Sequence, residues 1–228
     1  MNRIAVVVPA HDEHDLLPRC LASLTDATSP VPVEIIVVAD ACTDDTAELA
    51  AAAGATVLTI DARNVGRARA AGMEHALRHG PDGLWLATTD ADSRVAPEWL
   101  LWHLAHAGSG ADLLAGTVMV DDWAAWPAAL PGLYDSRYAA SDAHVHGANL
   151  GVSAATYRAV GGFQPLDHDE DRDLIERVRA TGRRVVADAT CPVVTSARPD
   201  GRAPLGFSSY LGRLATDVLP VERDHLAA

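Results

Sequence analysis

Residues 84–92 read Leu-Trp-Leu-Ala-Thr-Thr-Asp-Ala-Asp, an apolar run that passes without a break into two aspartates one residue apart. A short apolar run that follows a Gly80-Pro81 turn reads as a strand buried on both faces, the habit of parallel sheets. An isolated Asp-x-Asp is most often a helix cap or solvated surface. This pair ends a buried strand, and in open α/β sheets ligands bind at the carboxyl ends of the strands.

The sequence on the N-terminal side repeats one theme. Residues 4–8 form a β-branched run ended by Pro9, and residues 13–24 follow with Leu16, Leu17, Cys20, Leu21 and Leu24 at helical spacing. Residues 33–39 read as a second buried strand and 44–53 as a helix, with Thr43 or Asp44 placed to cap it. Gly54 stops that helix, 56–60 is a third strand, and 64–79 is a third helix that ends at Gly80-Pro81. Strand and helix alternate up to the fourth strand. The pattern predicts an α/β fold: a Rossmann-like, mostly parallel sheet with helices on both faces.

Beyond Asp92 the spacing loosens. Helices are expected at 97–106, 154–160 and 171–181, strands at 113–120, 149–153 and 183–187, and a partly helical stretch at 121–138. The tail from Cys191 reads as a loop followed by an apolar pattern over 207–219. No linker divides the chain, so one domain over 1–228 is expected. Its parts are a nucleotide-binding half (1–93), an acceptor-side half (94–190) and a C-terminal loop and helix (191–228).

The 228 residues carry 31 Asp and Glu against 18 basic residues, a net charge of −13. That balance excludes a general nucleic-acid binder, which needs a basic footprint, and disfavours docking on anionic lipid. All the basic residues are Arg, which removes Schiff-base chemistry and the lysine of nucleotide-binding P-loops. Phosphate would have to be held by Arg, backbone N–H groups or a cation. Cys20, Cys42 and Cys191 are far apart, as suits a reducing compartment. No stretch approaches the ~18–20 apolar residues of a transmembrane segment, and the N-terminal apolar run is too short for a signal peptide. A cytoplasmic protein is expected.

Three of the strands end in carboxylates. Pro9-Ala10-His11-Asp12-Glu13 follows the first, Asp40 through Asp45 the second, and Asp90-Ala91-Asp92 the fourth. Crowded carboxylates repel one another unless a cation or hydrogen-bond donors sit among them. Two aspartates so spaced can share one divalent ion, which then bridges to diphosphate oxygens. For Asp44 and Asp45 helix capping is the better reading.

Taken together these segments resemble the family 2 glycosyltransferases of GT-A fold. VVVPAHDEHDLLPRCLASL is similar to the family's first strand and helix, and EIIVVADACTDDTAELA to its second strand, with Ala39 where the usual pattern has the first of two Asp. NVGRARAAGM resembles the helix beside the nucleotide, and ATTDADSRVAPEWL the Asp-x-Asp segment. HGANLGVSAATYRAVGGF resembles a later strand and its Gly-Gly-Phe turn, and DEDRDLIERVRATGRRV the helix that bears the catalytic base. The likeness spans residues 3–187, and six motifs in order are far more specific than one.

The resemblance implies roles. Pro9, Ala10, His11, Glu13 and Asp40 would line the nucleoside pocket, with the base left open by Ala39. Asp90 and Asp92 would hold Mn2+ or Mg2+ against the diphosphate, Asp92 more directly. Asp171 would be the general base in an inverting displacement, although a helix N-cap competes for it. The implied partners are a nucleotide-diphosphate sugar and an unidentified acceptor. Arg67 is favoured over Arg69, Arg198 and Arg202 for diphosphate contact. One of His144, His146 and His168 could complete the metal shell or touch the acceptor, whereas the pairs His75/His79 and His103/His106 read as surface. Trp85 reads as core. Trp99, Trp102, Trp123 and Trp126 could stack on sugar, though packing is the commoner use. The 198–206 run reads as a loop able to close over an anion.

Rival readings are a sugar-phosphate nucleotidyltransferase and a non-catalytic nucleotide-sugar-binding protein. The first needs a Gly-rich loop and a lysine after strand one, and the second need not keep both Asp90/Asp92 and Asp171. A processive synthase would add a Gln-x-x-Arg-Trp motif and membrane helices, so one sugar per turnover is expected.

Overall fold

The computed structural model describes residues 1–139, 146–202 and 206–218. They form two compact units, one from Met1–Met119 with His144–Ser196, the other from Val120–Ala143 with Ala197–Ala228.

The first unit is built on a seven-stranded sheet of order β3-β2-β1-β4-β7-β5-β8. Its strands are β1 (Arg3–Ala10), β2 (Val33–Asp40), β3 (Thr56–Ile60), β4 (Leu84–Thr88), β5 (Leu113–Ala115), β7 (Leu150–Ser153) and β8 (Val185–Ala187). β1, β2, β3 and β4 are parallel, as their apolar runs predict. β7 is the exception and lies antiparallel between β4 and β5. Side chains of β1 alternate between two cores: Ile4, Val6 and Val8 face one, Ala5 and Val7 the other. The first core is closed by α1 (Leu17–Asp26), α2 (Thr46–Ala52) and α4 (Trp99–Gly108). The second is closed by α3 (Val65–Ala76), α6 (Ala154–Ala159) and α7 (Glu170–Ala180). Helices thus cover both faces, as expected.

Several expectations are corrected in detail. β1 runs through Pro9, which pairs with Val38 of β2. Val7 accepts the Thr89 N–H on the β4 side, and two residues on Pro9 faces the same side beyond the end of β4, so its missing donor costs no ladder bond. The first helix starts at Leu17 rather than 13, with Pro18 in its first turn where an absent N–H is harmless. The third helix is α-helical only to Ala76 and ends in a 3-10 turn, Leu77–His79. The strand expected at 113–120 is two: β5, and β6 (Val118–Met119), which pairs with β9 (Val193–Val194) in a separate two-stranded sheet. Asn149 belongs to a 3-10 turn before β7, and β9 lies in the tail read as loop. His103, expected at the surface, is buried among Trp85, Trp99 and Trp102, where its Nδ1 accepts the Trp85 indole N–H at 3.1 Å.

The second unit contains α5 (Leu130–Ala139) and α8 (Phe207–Val218), which bury Leu130, Tyr134, Leu211 and Leu214 with Trp123 and Trp126 packed against them. Among the described residues no helix is long and apolar enough to cross a membrane.

Candidate active site

Parallel pairing sets the carboxyl ends of β1, β2 and β4 side by side, so the segments that follow them meet at one edge of the sheet. Asp40, at the end of β2, is buried, and its carboxylate accepts the N–H groups of Ala62 (2.6 Å), Arg63 (2.9 Å) and Asn64 (2.8 Å). Its charge therefore holds the turn that leads into α3. Ala41 next to it has φ +51°, a left-handed conformation costly for any residue with a Cβ. α2 begins at Thr46 rather than 44, and its N-cap Asp45 makes no side-chain cap bond; Asp44, one residue earlier, instead accepts the Thr46 N–H at 3.0 Å and the Thr46 hydroxyl at 2.5 Å and so fixes the entry to the helix. The N–H of buried Glu13 donates to the same Thr46 hydroxyl at 2.8 Å, tying the loop after β1 to the loop after β2.

The Asp-x-Asp segment is held from three sides. Cys20 of α1 donates its thiol to the Asp90 carbonyl at 3.4 Å. Arg94 exchanges backbone bonds of 2.8 and 3.0 Å with Val194 of β9. Asp92 Oδ1 accepts the hydroxyls of Ser93 at 3.2 Å and Thr195 at 3.5 Å. The tail strand thus fixes the aspartates, a role its two residues gave no sequence signal for.

The centre of the site is Arg69, only 3% exposed. Its Nη2 donates to Asp90 Oδ1 at 2.6 Å and its Nη1 to Glu170 Oε1. Burial alone would pull the guanidinium down, but Asp90 and Glu170 outweigh it and hold Arg69 above its usual range. Burial pushes the Glu170 carboxyl up, and Arg69 partly restores it. Asp171 follows Glu170 in the first turn of α7; its Oδ2 accepts the Gly147 N–H at 2.7 Å and its Oδ1 the Arg172 N–H at 2.7 Å. The N-cap is Asp169, so capping does not explain Asp171. Gly147 leaves no room for a side chain, because a Cβ there would run into the Arg69 guanidinium. One chain of contacts therefore links the end of β4 to the head of α7: Asp90 to Arg69, Arg69 to Glu170, and Arg69 past Gly147 to Asp171.

The sequence reading named Arg69 but preferred Arg67, and it passed over Glu170. Arg67 is exposed, and its backbone N–H donates to the N-cap Asn64 at 2.8 Å. A signal was present: Gly66, Arg69, Met73 and Ala76 share the buried stripe of α3, and an Arg on such a stripe must have acidic partners. Glu170, Leu174 and Val178 are the matching stripe of α7.

Asp90 and Asp92 present hard carboxylate oxygens at one strand end, a donor set that fits Mg2+ or Mn2+. Among the described residues no third His, Cys, Asp or Glu joins them in a common coordination sphere. His146 and His168 are therefore not gathered with them, and His168 pairs with Asp169 at the surface at 3.0 Å. His144 lies outside the described residues, as do 203–205 of the expected 198–206 loop. Trp99 is buried and donates to Asn149 Oδ1 at 2.9 Å, which makes it packing rather than a sugar platform.

A mostly parallel sheet of this order, with helices on both faces and carboxylates at its carboxyl edge, is the GT-A architecture. The sequence matches Glycosyl transferase family 2 over residues 5–160, and the chain belongs to that family of glycosyltransferases. In fold it is similar to S. aureus TarS 1-349, solved with UDP-GlcNAc, at TM-score 0.68 and 16% identity, covering 95% of this chain and 66% of that one. It is also similar to the mannosyltransferase PcManGT of Pyrobaculum calidifontis, solved with GDP-Man and Mn2+ (TM-score 0.65, 18% identity, 88% of this chain and 58% of that). A third is glucosyl-3-phosphoglycerate synthase of Mycobacterium tuberculosis, solved with Mn2+, UDP and phosphoglyceric acid (TM-score 0.64, 21% identity, 95% and 76%). No curated protein matches significantly in sequence.

Proposed function

We propose that the chain moves one sugar per turnover from a nucleoside-diphosphate donor to a separate acceptor, with inversion at the anomeric carbon. The observation that carries this reading is the linked set Asp90, Arg69, Glu170 and Asp171 at the ligand-binding edge of the sheet. The structures it resembles hold UDP-GlcNAc, GDP-Man, or UDP with Mn2+, which supports a nucleotide-sugar donor and a divalent ion here.

Asp90 and Asp92 would hold Mn2+ or Mg2+, and the ion would supply charge neutralisation for the departing diphosphate. Asp90 already shares its charge with Arg69, which leaves Asp92 as the stronger ligand. Pro9, Ala10, His11 and Glu13 form the nucleoside wall together with the turn that Asp40 holds, and Arg67 on the exposed side of α3 reaches the diphosphate. Ala39 stands where the usual pattern has the first of two acids, which leaves the identity of the base open. In the transfer step an acceptor oxygen bonds to the anomeric carbon as the bond to diphosphate breaks, and the acceptor proton passes to Asp171. The Gly147 N–H on Oδ2 holds that carboxylate in its orientation.

Calorimetry of UDP and GDP binding tests the reading. Affinity should depend strongly on Mn2+ or Mg2+, and one base should be preferred. Equal affinity in excess EDTA would remove the metal from the account.

A further inference from the structure

Beside the base wall, and sharing His11 with it, stands a group of side chains of which Asp12 and Cys42 have no part in the proposed sugar transfer. The loops after β1 and β2 approach each other through two left-handed residues, Asp12 and Ala41, both at φ +51°. Their meeting brings an imidazole nitrogen of His11, a carboxylate oxygen of Asp12 and the Cys42 sulfur all within 4.8 Å of one another. His11 Nδ1 lies 2.6 Å from the Asp40 carbonyl oxygen. A carbonyl only accepts, so Nδ1 donates to it and Nε2 is the ring nitrogen left to face Asp12. Nε2 lies 3.9 Å from Asp12 Oδ2. The Nδ1–H bond to a backbone carbonyl is also how proteins fix and orient a metal-binding imidazole. Asp12 is itself oriented, since its Oδ1 accepts the Thr43 N–H at 2.6 Å, and its own N–H points at Cys42 Sγ at 3.5 Å.

We propose that His11, Asp12 and Cys42 form a second cation site, separate from Asp90/Asp92 and selective for a borderline-soft ion of the Zn2+ class. One nitrogen, one oxygen and one sulfur with solvent at the fourth position suit tetrahedral Zn2+ and not Mg2+. Bonds of about 2.0–2.3 Å set donor atoms roughly 3.3–3.8 Å apart, so the side chains need draw in by only ~1 Å. Binding displaces the Cys42 thiol proton to water. All three side chains are half-buried, which gives the ion access, whereas Cys20 and Cys191 are buried. The proposal goes beyond the transfer reading and does not rest on it.

Co2+ titrated into the full chain should give a saturable thiolate-to-cobalt charge-transfer absorption at one equivalent. Zn2+ should abolish it and excess Mg2+ should not. The band should vanish in Cys42→Ser, need at least ~10-fold more Co2+ in His11→Ala, and persist in Asp92→Asn. In the unmutated protein, Zn2+ should protect Cys42 from alkylation by iodoacetamide. Absence of the band, its survival in Cys42→Ser, its loss in Asp92→Asn, or an alkylation rate indifferent to Zn2+ would each overturn the site.

Discussion

At the scale of single residues, the site divides into carboxylates that hold the fold and carboxylates turned to chemistry. Asp40 spends its charge on three amides and Glu170 on Arg69, while Asp171 sits against one glycine N–H and its own helix turn. Substitutions should separate these roles. Asp171→Asn keeps the shape and removes the basicity, so turnover should fall ~10²–10⁴-fold while metal-dependent nucleotide affinity stays near that of the unmutated protein. Asp92→Asn should weaken that affinity itself. Steady-state rates and calorimetry on the pair decide it: near-normal turnover in Asp171→Asn, or a matching loss of affinity, removes Asp171 as base. Asp40, Asp90 and Asp92 stand out in the sequence because an acid at the end of an apolar run needs a reason, whereas Asp171 is named by the family resemblance alone. Arg69 was harder, since its meaning depends on Asp90 and Glu170, 21 and 101 residues away.

At the scale of elements, the first 92 residues could be read almost strand by strand because each βα unit is local. β4 falls at 84–88 as read, and β3 at 56–60. Beyond β4 the partners are distant, and strands of two or three residues carry no periodicity. Gly116, pressed against the Asn149 side chain, divides β5 from β6, and β6 finds its partner some 75 residues on. The contact of α4 with β4 was misread for a related reason: His103 looked like surface until Trp85 supplied its hydrogen bond. Burial holds this imidazole neutral and pushes its pKa down to about 3 from 6.5. The unfolded chain then binds a proton that the folded one refuses, so stability should fall as pH drops below 6.5 and level off near 3. At 1.36 kcal/mol per pH unit, this group removes roughly 3 kcal/mol between pH 7 and 4.5. His103→Gln keeps an acceptor for the Trp85 N–H and does not titrate. Urea unfolding at the two pH values should show a loss smaller by about that amount, and an unchanged loss would show that His103 does not set the slope.

At the scale of the whole chain, the proposed donor site gathers segments far apart in sequence onto one edge of one sheet, and this can be read without any mutation. The turn held by Asp40, the Asp90–Arg94 segment and the Gly147 turn all lie at the carboxyl ends of the parallel strands. A groove lined by Met1, Pro81, Gly83, Gly110 and Ser153 lies at the opposite edge of the same unit and serves as an internal control. A ligand that binds only the folded state at 100 times its Kd adds about 2.7 kcal/mol, which slows by roughly 100-fold any amide that exchanges through openings the ligand forbids. Hydrogen exchange with Mn2+ and the preferred nucleoside diphosphate should therefore slow early-exchanging amides of 40–46, 60–69, 88–95 and 146–150 together. Amides at 1–3, 80–84 and 109–112 should keep their rates. Mn2+ alone should give little of this, because the two aspartates hold the ion firmly only when diphosphate oxygens complete its shell. Slowing spread evenly over both edges, or confined to the opposite one, would place the nucleotide away from Asp90 and Asp92, and the assignment of the donor site would fall with it.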